Sequence, residues 1–487
     1  MLGIMYCSLF SSASPGNPIV LKVSLLIVFI VCLIFLYIQQ TTRFKSFWYK
    51  PSNVFLFGYL IVNFQYVVDF LIGFKNYSDF YLPQTINKAT YVCVLGLIAY
   101  VSGYVVSSCS NLSNTKKTKY YICVRSLAVV QLLLFCAWII TVNLVALISG
   151  YNYFEESGGS ASANFEGLFY CSTIAILTAE VSNSKFVKIE SFRGFIKQGP
   201  IISWVVIGLY ILIRLISGDR GPALYMLLSL FFAYVMSMKH AFDVKKIMLP
   251  AIALIVILNI IGMARSMDLN QPFFNRAVSA FTDFVNSGDS RFSNQTIIPI
   301  TEELAMSSRC NQIAVELIDN ANHCLHKGKY LWYQIIQCIP FVPSFLSNYL
   351  RIPADQLSSN ILLTDVYYGQ HEVAQIGTTI VADSYLDFGV IGVVFMLFFV
   401  GFCYKKIDYM LCCSIPNNWI LIIIVLLLSS MAIYIPRSTF IIQMKQLIPI
   451  LVIYYLNSAA LFLVRIKYAC GKKNLFKLPQ KTILHYI

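Results

Sequence analysis

The sequence predicts an all-α integral membrane protein with about eleven transmembrane helices, and two observations lead to that fold class. Of the 487 residues, 58% are hydrophobic and 12% are charged, whereas soluble domains carry about 25% charged residues. The apolar residues are also grouped in long runs, and a helix of about 20 apolar residues is long enough to cross a bilayer. This composition excludes an ordinary soluble domain.

Eleven apolar runs qualify as candidate spans. Their approximate limits are 19–38, 53–73, 91–108, 126–148, 167–184, 200–217, 222–238, 247–263, 389–403, 419–435 and 446–464. The first eighteen residues carry no charge and lack the basic segment that begins a cleavable signal peptide. A short apolar segment at residues 2–10 leaves a twelfth membrane segment open.

The distribution of basic residues sets the predicted orientation of these spans. Lys and Arg are concentrated in alternate loops and in the C-terminal tail, at 43–50, 116–125, 185–197, 239–246, 405–406 and 465–481. Loops rich in Lys and Arg stay on the cytoplasmic side of a membrane. We therefore expect an outer N-terminus and a cytoplasmic C-terminus. The net charge of +14 is thus an orientation signal, and no nucleic-acid partner is predicted.

One outer loop, residues 264–388, is far longer than the others. It divides the chain into spans one to eight (1–263), the loop itself, and spans nine to eleven with a basic cytoplasmic tail (389–487). Loops of this length without structure of their own are uncommon. We therefore expect the loop to be partly helical and to carry function.

Apolar spacing predicts two helices within this loop. The first covers 273–286 and is expected to lie on the membrane surface. The second covers 302–320, with Thr301 as its N-cap. Residues 330–339 form a further apolar segment, which ends at Pro340.

Three arginines lie at the outer ends of predicted spans, where Lys and Arg are otherwise scarce: Arg220, Arg265 and Arg437. A guanidinium stays charged and can bind phosphate through two parallel hydrogen bonds. We expect these three, together with Arg214 in the last turn of its span, to bind a lipid-linked phosphate. Two alternatives stay open, because Arg220 could pair with Asp219, and Arg265 and Arg214 could reach lipid headgroups.

Candidates for a general base lie near the end of the outer loop. Asp383 and Tyr385 are just ahead of the ninth span, and His371 precedes them in the loop. Such a side chain next to a sugar hydroxyl can accept its proton, so these residues form the predicted catalytic region. The alternative for each is a solvated loop residue, since loops are usually polar.

Three polar residues interrupt the second span: Asn63, Gln65 and Asp69. Ionisable residues inside membranes are often functional. Polar side chains in spans also bind neighbouring helices. Both interpretations stay open.

Motifs of several enzyme classes are missing. The chain contains no G-x-x-x-x-G-K-[ST], G-x-S-x-G or H-E-x-x-H motif, and no Cys/His spacing typical of zinc. A primary pump, a serine hydrolase and a zinc hydrolase are therefore disfavoured. No metal site is predicted.

Several short motifs follow one another along the chain. They are the outer turn Gly218-Asp219-Arg220-Gly221, Gly328-Lys329-Tyr330 with the later Ile339-Pro340, the segment Gly377 to Gly392 around Ala382-Asp383-Ser384-Tyr385, and Pro436-Arg437-Ser438. Together they resemble the bacterial O-antigen polymerases, also called Wzy-type oligosaccharide repeat unit polymerases. One position departs from the pattern, since Asp383 stands where that family more often has Glu.

The resemblance implies a GT-C-like, inverting glycosyltransferase that needs no metal or other cofactor. It would act at the periplasmic face of the bacterial inner membrane, with the growing undecaprenyl-pyrophosphate-linked glycan as donor and a lipid-linked repeat unit as acceptor. Guanidinium groups would stabilise the negative charge that develops on the departing pyrophosphate. The implied partners are these lipid-linked oligosaccharides and membrane lipid, and a polysaccharide chain-length regulator is a compatible protein partner.

An O-antigen ligase and a lipid-linked oligosaccharide flippase are the alternative functions. A ligase would share the arginines but would transfer the glycan to lipid A–core. A flippase would share the basic cytoplasmic loops but would not need a folded outer loop. A secondary transporter would place charges at mid-membrane, where this chain has few. The predicted function is that of a polymerase.

Overall fold

A computed structural model of the chain describes most of the predicted spans and parts of the outer loop. The described residues are 16–41, 49–75, 83–108, 123–144, 147, 159–184, 189, 191–217, 220–238, 260, 264, 273–287, 298, 301–319, 324–339, 342, 358–369, 376–412, 418–439 and 441–471. These residues are almost entirely helical, and no strand occurs among them.

The described α-helices are numbered here in chain order. They are α1 (Pro18–Thr41), α2 (Pro51–Ile72), α3 (Ile86–Val106), α4 (Val124–Thr141), α5 (Gly159–Ser184), α6 (Phe192–Gln198), α7 (Ile201–Ile216), α8 (Arg220–Ser237), α9 (Phe273–Ser287), α10 (Glu302–Ala305), α11 (Ser308–Asp319), α12 (Lys329–Gln337), α13 (Ser359–Tyr368), α14 (Ile380–Cys412), α15 (Trp419–Ser430) and α16 (Leu447–Gly471). Short 3₁₀ helices cover Pro83–Thr85, Ile435–Arg437 and Ile442–Gln446.

A helix lies at each predicted span except the eighth, of which residues 247–259 lie outside the described residues. Among the described residues, five helices are long and apolar enough to cross a membrane: α1, α2, α3, α4 and α14. The pair α6 and α7, bent by 115°, forms a sixth if it is counted as one span. The chain is therefore a multi-pass helical membrane protein, while the total of eleven or twelve spans and the GT-C-like architecture stay predictions.

The chain divides into two compact units. The first contains Met1–Leu112, Ala241–Ser414 and Leu428–Lys445, and the second contains Ser113–His240, Ile415–Leu427 and Gln446–Ile487. The first unit thus joins α1, α2 and α3 to the described parts of the outer loop and to α14. The predicted division at residues 263 and 388 stays a prediction.

Helices α3 and α14 in the first unit pack backbone against backbone. A Cβ atom built on Gly103 would lie 1.9 Å from the carbonyl oxygen of Phe398, and one on Gly401 would lie 2.0 Å from that of Tyr100. Only glycine fits at two such points, because any side chain would overlap the facing backbone. Small residues of this kind allow membrane helices to approach closely.

The polar residues of the second span bind the outer loop. Asn63 accepts a hydrogen bond of 2.7 Å from the Asn311 side chain on α11. Gln65 accepts one of 2.6 Å from the Thr301 hydroxyl and donates one of 3.0 Å to the backbone oxygen of Ile298. These contacts favour the helix-contact interpretation for Asn63 and Gln65.

The outer end of α2 holds the loop through a buried ion pair. Lys75 Nζ lies 3.1 Å from Glu302 Oε1, and both side chains are about 95% or more buried. Burial raises the pKa of the Glu302 carboxyl, and the hydrogen bond from Lys75 opposes that rise. The pair fixes the start of α10 against the end of α2.

The predicted loop helices differ in how well they match. The helix predicted over 273–286 corresponds to α9. The segment 330–339, predicted only as apolar, overlaps α12. The predicted helix over 302–320 is divided into α10 and α11. Thr301 lies at the N-cap position, but its side chain forms no capping hydrogen bond because the hydroxyl binds α2 instead.

Candidate functional site

Helix α14 is broken at Gly389, and this break defines the candidate site. Gly389 has φ 62° and ψ −149°, a combination that is essentially restricted to glycine. The helix therefore consists of a short outer segment, 380–388, and a longer segment, 390–412. The outer segment carries Asp383 and Tyr385, two of the predicted catalytic residues.

The Asp383 carboxylate is buried and receives three side-chain hydrogen bonds. Oδ1 accepts a short hydrogen bond from the Ser359 hydroxyl and one of 2.5 Å from the Thr378 hydroxyl. Oδ2 accepts one of 2.8 Å from the Gln334 amide. Helices α12, α13 and α14 thus converge on one acidic group.

A polar cavity of about 210 Å³ lies beside this cluster. Its polar lining includes Gln334, Ser359, Asn360, Thr378, Arg437 and Thr439. Arg437 ends the 3₁₀ helix Ile435–Arg437, and its backbone N–H donates to the Tyr434 oxygen at 2.9 Å. Within the described part of the chain its guanidinium forms no hydrogen bond or ion pair, and a guanidinium carries five N–H donors.

An apolar cavity of about 320 Å³ adjoins the polar one through shared lining residues, Gln334 and Thr439. Its exposed walls are mostly apolar, but the acidic residues Asp383 and Asp387 also line it. Ile391 and Phe395 in its wall are 80% and 71% exposed, so the cavity opens along the side of the 390–412 helix. An acidic group therefore lies where a polar and an apolar compartment meet.

Cys310 links Arg437 and Asp383 electrostatically. Its thiol is buried and donates to the Gly377 oxygen at 3.6 Å. Burial raises the pKa of the Cys310 thiol to about 12, Arg437 opposes the rise and Asp383 adds to it.

Tyr385 faces a different part of the first unit. Its hydroxyl donates to the Asp319 carboxylate at 3.1 Å, and Lys88 forms a short ion pair with the same carboxylate. Tyr385 is not among the described residues that line either cavity. Its position two residues from Asp383 places it on another side of the helix, where it binds α11.

Arg214 lies in the second unit and is engaged within it. Its Nε donates to Glu166 Oε1 at 2.7 Å, and its Nη2 forms a short ion pair with the other oxygen. The guanidinium also lies 5.4 Å from the Trp138 ring. Glu166 thus binds Arg214 through two of its nitrogens, and phosphate binding by Arg214 stays a prediction.

The side chains of the remaining predicted site residues lie outside the described part of the structure. Arg220 begins α8, but its side chain is outside the described part of the structure. Arg265 and His371 also lie outside the described residues. Their predicted roles stay predictions.

Three polar residues of the site were missing from the sequence prediction: Gln334, Ser359 and Thr378. Each donates to Asp383. The donors lie 49, 24 and 5 residues from Asp383 along the chain, and single polar residues in loop helices carry no recognisable motif. Only Thr378 could have been found from the sequence, because it follows Gly377 in a motif that was already singled out.

Among the described residues, no group of three or more His, Cys, Asp and Glu side chains is arranged to hold a metal ion. A metal-independent reaction stays a prediction.

Comparison with known proteins adds the family. No curated protein and no solved structure matches the chain. A family model described as O-antigen polysaccharide polymerase Wzy matches residues 1–464, which is nearly the whole chain. The chain therefore belongs to the O-antigen polysaccharide polymerase Wzy family.

Proposed function

We propose that this protein elongates a surface polysaccharide at the periplasmic face of the bacterial inner membrane. It transfers the growing undecaprenyl-pyrophosphate-linked glycan onto an incoming lipid-linked repeat unit, with inversion and without a metal. The family membership supports the polymerase activity. The observation that carries the mechanism is the meeting of Asp383 and Arg437 at two adjoining cavities, one polar and one apolar.

Asp383 is the proposed general base. A carboxylate has about four lone-pair positions, and three are occupied by Gln334, Ser359 and Thr378. One position is left for the acceptor hydroxyl. The three donors also fix the carboxylate's orientation, which a base needs in order to meet a bound hydroxyl.

Arg437 is the proposed pyrophosphate ligand. It lines the polar cavity with its donors uncommitted to any described residue. A guanidinium held in place before the reaction stabilises charge that develops on a leaving group. Arg220 and Arg265 remain proposed partners in this role, whereas the engagement of Arg214 by Glu166 removes it from the proposed site.

The apolar cavity fits the first part of the lipid chain. Its lining is mostly hydrophobic, and its open side lies along a membrane-spanning helix at Ile391 and Phe395. Burial of apolar surface contributes about 25 cal/mol per Å². The lipid would therefore enter from the side while its head group reaches the polar cavity.

The proposed step balances without an added reagent. The acceptor oxygen forms a bond to the anomeric carbon of the donor glycan, and the bond from that carbon to the pyrophosphate oxygen breaks. The acceptor proton passes to Asp383, and the bonding electron pair leaves with the pyrophosphate near Arg437. Attack opposite the leaving group inverts the anomeric centre.

Deletion of the gene in its native bacterium, followed by gel analysis of the lipopolysaccharide, tests this function. A polymerase defect reduces the ladder to core plus a single repeat unit, and the wild-type gene restores it. Loss of every capped species would contradict the proposal and favour the ligase or the flippase.

A further inference from the structure

Asp387 is a second buried acid on the outer segment of α14, and the proposed chemistry does not use it. It is 2% exposed and lines the apolar cavity beside Asp383, and each of its oxygens accepts one backbone hydrogen bond. Oδ1 accepts the backbone N–H of Tyr330 at 3.1 Å, and Oδ2 accepts that of Leu331 at 2.7 Å. These are among the first N–H groups of α12, which have no partner within their own helix.

The capping is reciprocal. The break at Gly389 frees carbonyl groups at the end of the 380–388 segment, because the next residues no longer continue the helix. His326 N donates to the Leu386 oxygen and Lys327 N donates to the Asp387 oxygen, both at 3.0 Å. The chain that leads into α12 thus caps the outer segment, while the Asp387 side chain caps α12.

The approach to α12 is shaped for this contact. Lys327 has φ 53° and is the one non-glycine residue with positive φ among the described residues. Gly328 has φ 86°, and a Cβ atom there would lie 2.6 Å from the Phe388 ring. The backbone therefore turns tightly over the end of the outer segment, which brings the start of α12 to Asp387.

One turn further along, the same two helices meet again at the site. Asp387 binds residues 330 and 331, and Asp383 binds Gln334. The contacting residue number increases along α12 while it decreases along α14, so the two segments run antiparallel. The cap therefore determines where Gln334 meets Asp383.

We propose that Asp387 is a positioning residue, which holds α12 by its N-terminus so that Gln334 orients the Asp383 carboxylate between the two cavities. The catalytic consequence rests on the proposed function, but the capping role does not. Asp387 acts as a hydrogen-bond acceptor here and transfers no proton.

Substitutions at Asp387 separate a cap from an acid–base group. Asn and Ser are good N-cap residues, whereas Ala is not. In purified protein, Asp387→Ala should increase amide hydrogen exchange of residues 330–337 by about 5–30-fold, the factor that corresponds to 1–2 kcal/mol. Asp387→Asn should recover part of the protection, because its single oxygen can accept one of the two N–H groups while its NH₂ group faces the other. Asp387→Ser, with a shorter side chain, should recover less. Lys329→Ala, at the start of the same helix, is the matched control and should leave exchange unchanged.

The lipopolysaccharide ladder gives the second measurement. Asp387→Ala should shorten it strongly, while Asp387→Asn and Asp387→Ser should still produce a ladder, with fewer repeats than wild type. Unchanged exchange in Asp387→Ala would overturn the inference. So would loss of the ladder in an Asn variant whose α12 is clearly better protected than in the Ala variant. Amide hydrogen exchange is measured without substrate. If the protein proved not to be a polymerase, the exchange result would still test the capping role of Asp387. If the Ala variant does not fold, the inference is tested by the hydrogen exchange of α12 and the ladder length in the Asn and Ser variants, both compared with wild type.

Discussion

Replacement of Asp383 by asparagine separates the proposed chemistry from the structure around it. The side-chain oxygen of Asn can still accept from the Ser359 and Thr378 hydroxyls, as Oδ1 does now. The new NH₂ group would face the Gln334 amide nitrogen, which lies 2.8 Å from the present Oδ2. Rotation of the Gln334 amide by half a turn presents its oxygen instead and restores the bond. Asp383→Asn therefore keeps the network and removes the charge.

The expected effect on stability is small compared with the effect on activity. Hydrogen bonds to charged groups contribute about 1.5–3 kcal/mol and neutral ones about 0.5–1.5, so three bonds lose about 3 kcal/mol. A neutral amide is also less costly to bury than a carboxylate, which leaves a net loss of about 1–2 kcal/mol. Loss of a general base lowers the rate by about 10²–10⁴-fold.

The assay compares the lipopolysaccharide ladder with the amount of protein in the membrane. Asp383→Asn should insert at close to the wild-type level and yield core plus a single repeat unit. Asp365→Asn, on α13, makes the same change of charge at a residue that lines neither cavity, and should retain the full ladder. A full ladder from Asp383→Asn would refute the proposed base.

Three other substitutions or labels follow from the same structure. Arg437→Lys keeps the charge but not the two parallel hydrogen bonds, so repeat addition should fall at least about 10-fold; a wild-type rate would argue against phosphate binding there. Gly401→Ala places a Cβ atom 2.0 Å from a facing backbone oxygen and should destabilise the protein by about 1–3 kcal/mol in a thermal melt. Gly208→Ala, which meets open space, should not. A membrane-impermeant maleimide applied from the periplasm should modify the exposed Cys324 and leave the buried Cys310 unmodified. Labelling of Cys324 from the cytoplasmic side alone would contradict the predicted orientation of the spans.

The helical framework could be predicted because it depends on local composition. Apolar runs of the right length are helical wherever the structure describes them. The hydropathy of a segment depends only on its own residues, so it can be calculated without knowing the fold. The division of the 302–320 helix was not predictable in that way. Thr301 and Glu302 have the residue types of a helix start, but they bind Gln65 and Lys75 on α2. Partners more than 200 residues away decided the outcome.

The candidate site shows the same limit. Asp383 and Arg437 were predicted from short motifs, and they line adjoining cavities. Arg214 was predicted by the same reasoning about charge at span ends, yet Glu166, 48 residues earlier, neutralises it. A guanidinium is equally suited to a carboxylate and to a phosphate. The sequence therefore identifies residues able to bind phosphate, and only the fold identifies those already engaged.

The spacing of the two acids explains why their roles differ. Asp383 and Asp387 are four residues apart, so they lie on one side of the short outer helix, about 6 Å apart along its axis. Helix α12 runs along that side, and its exposed N–H groups occupy the acid nearer the break. The other acid receives only side-chain donors, which leaves room for a substrate hydroxyl. The break at Gly389 thus does more than end a span, because it creates the helix end at which Asp387 caps α12. Both acids line the apolar cavity, but only Asp383 receives all of its donors from side chains.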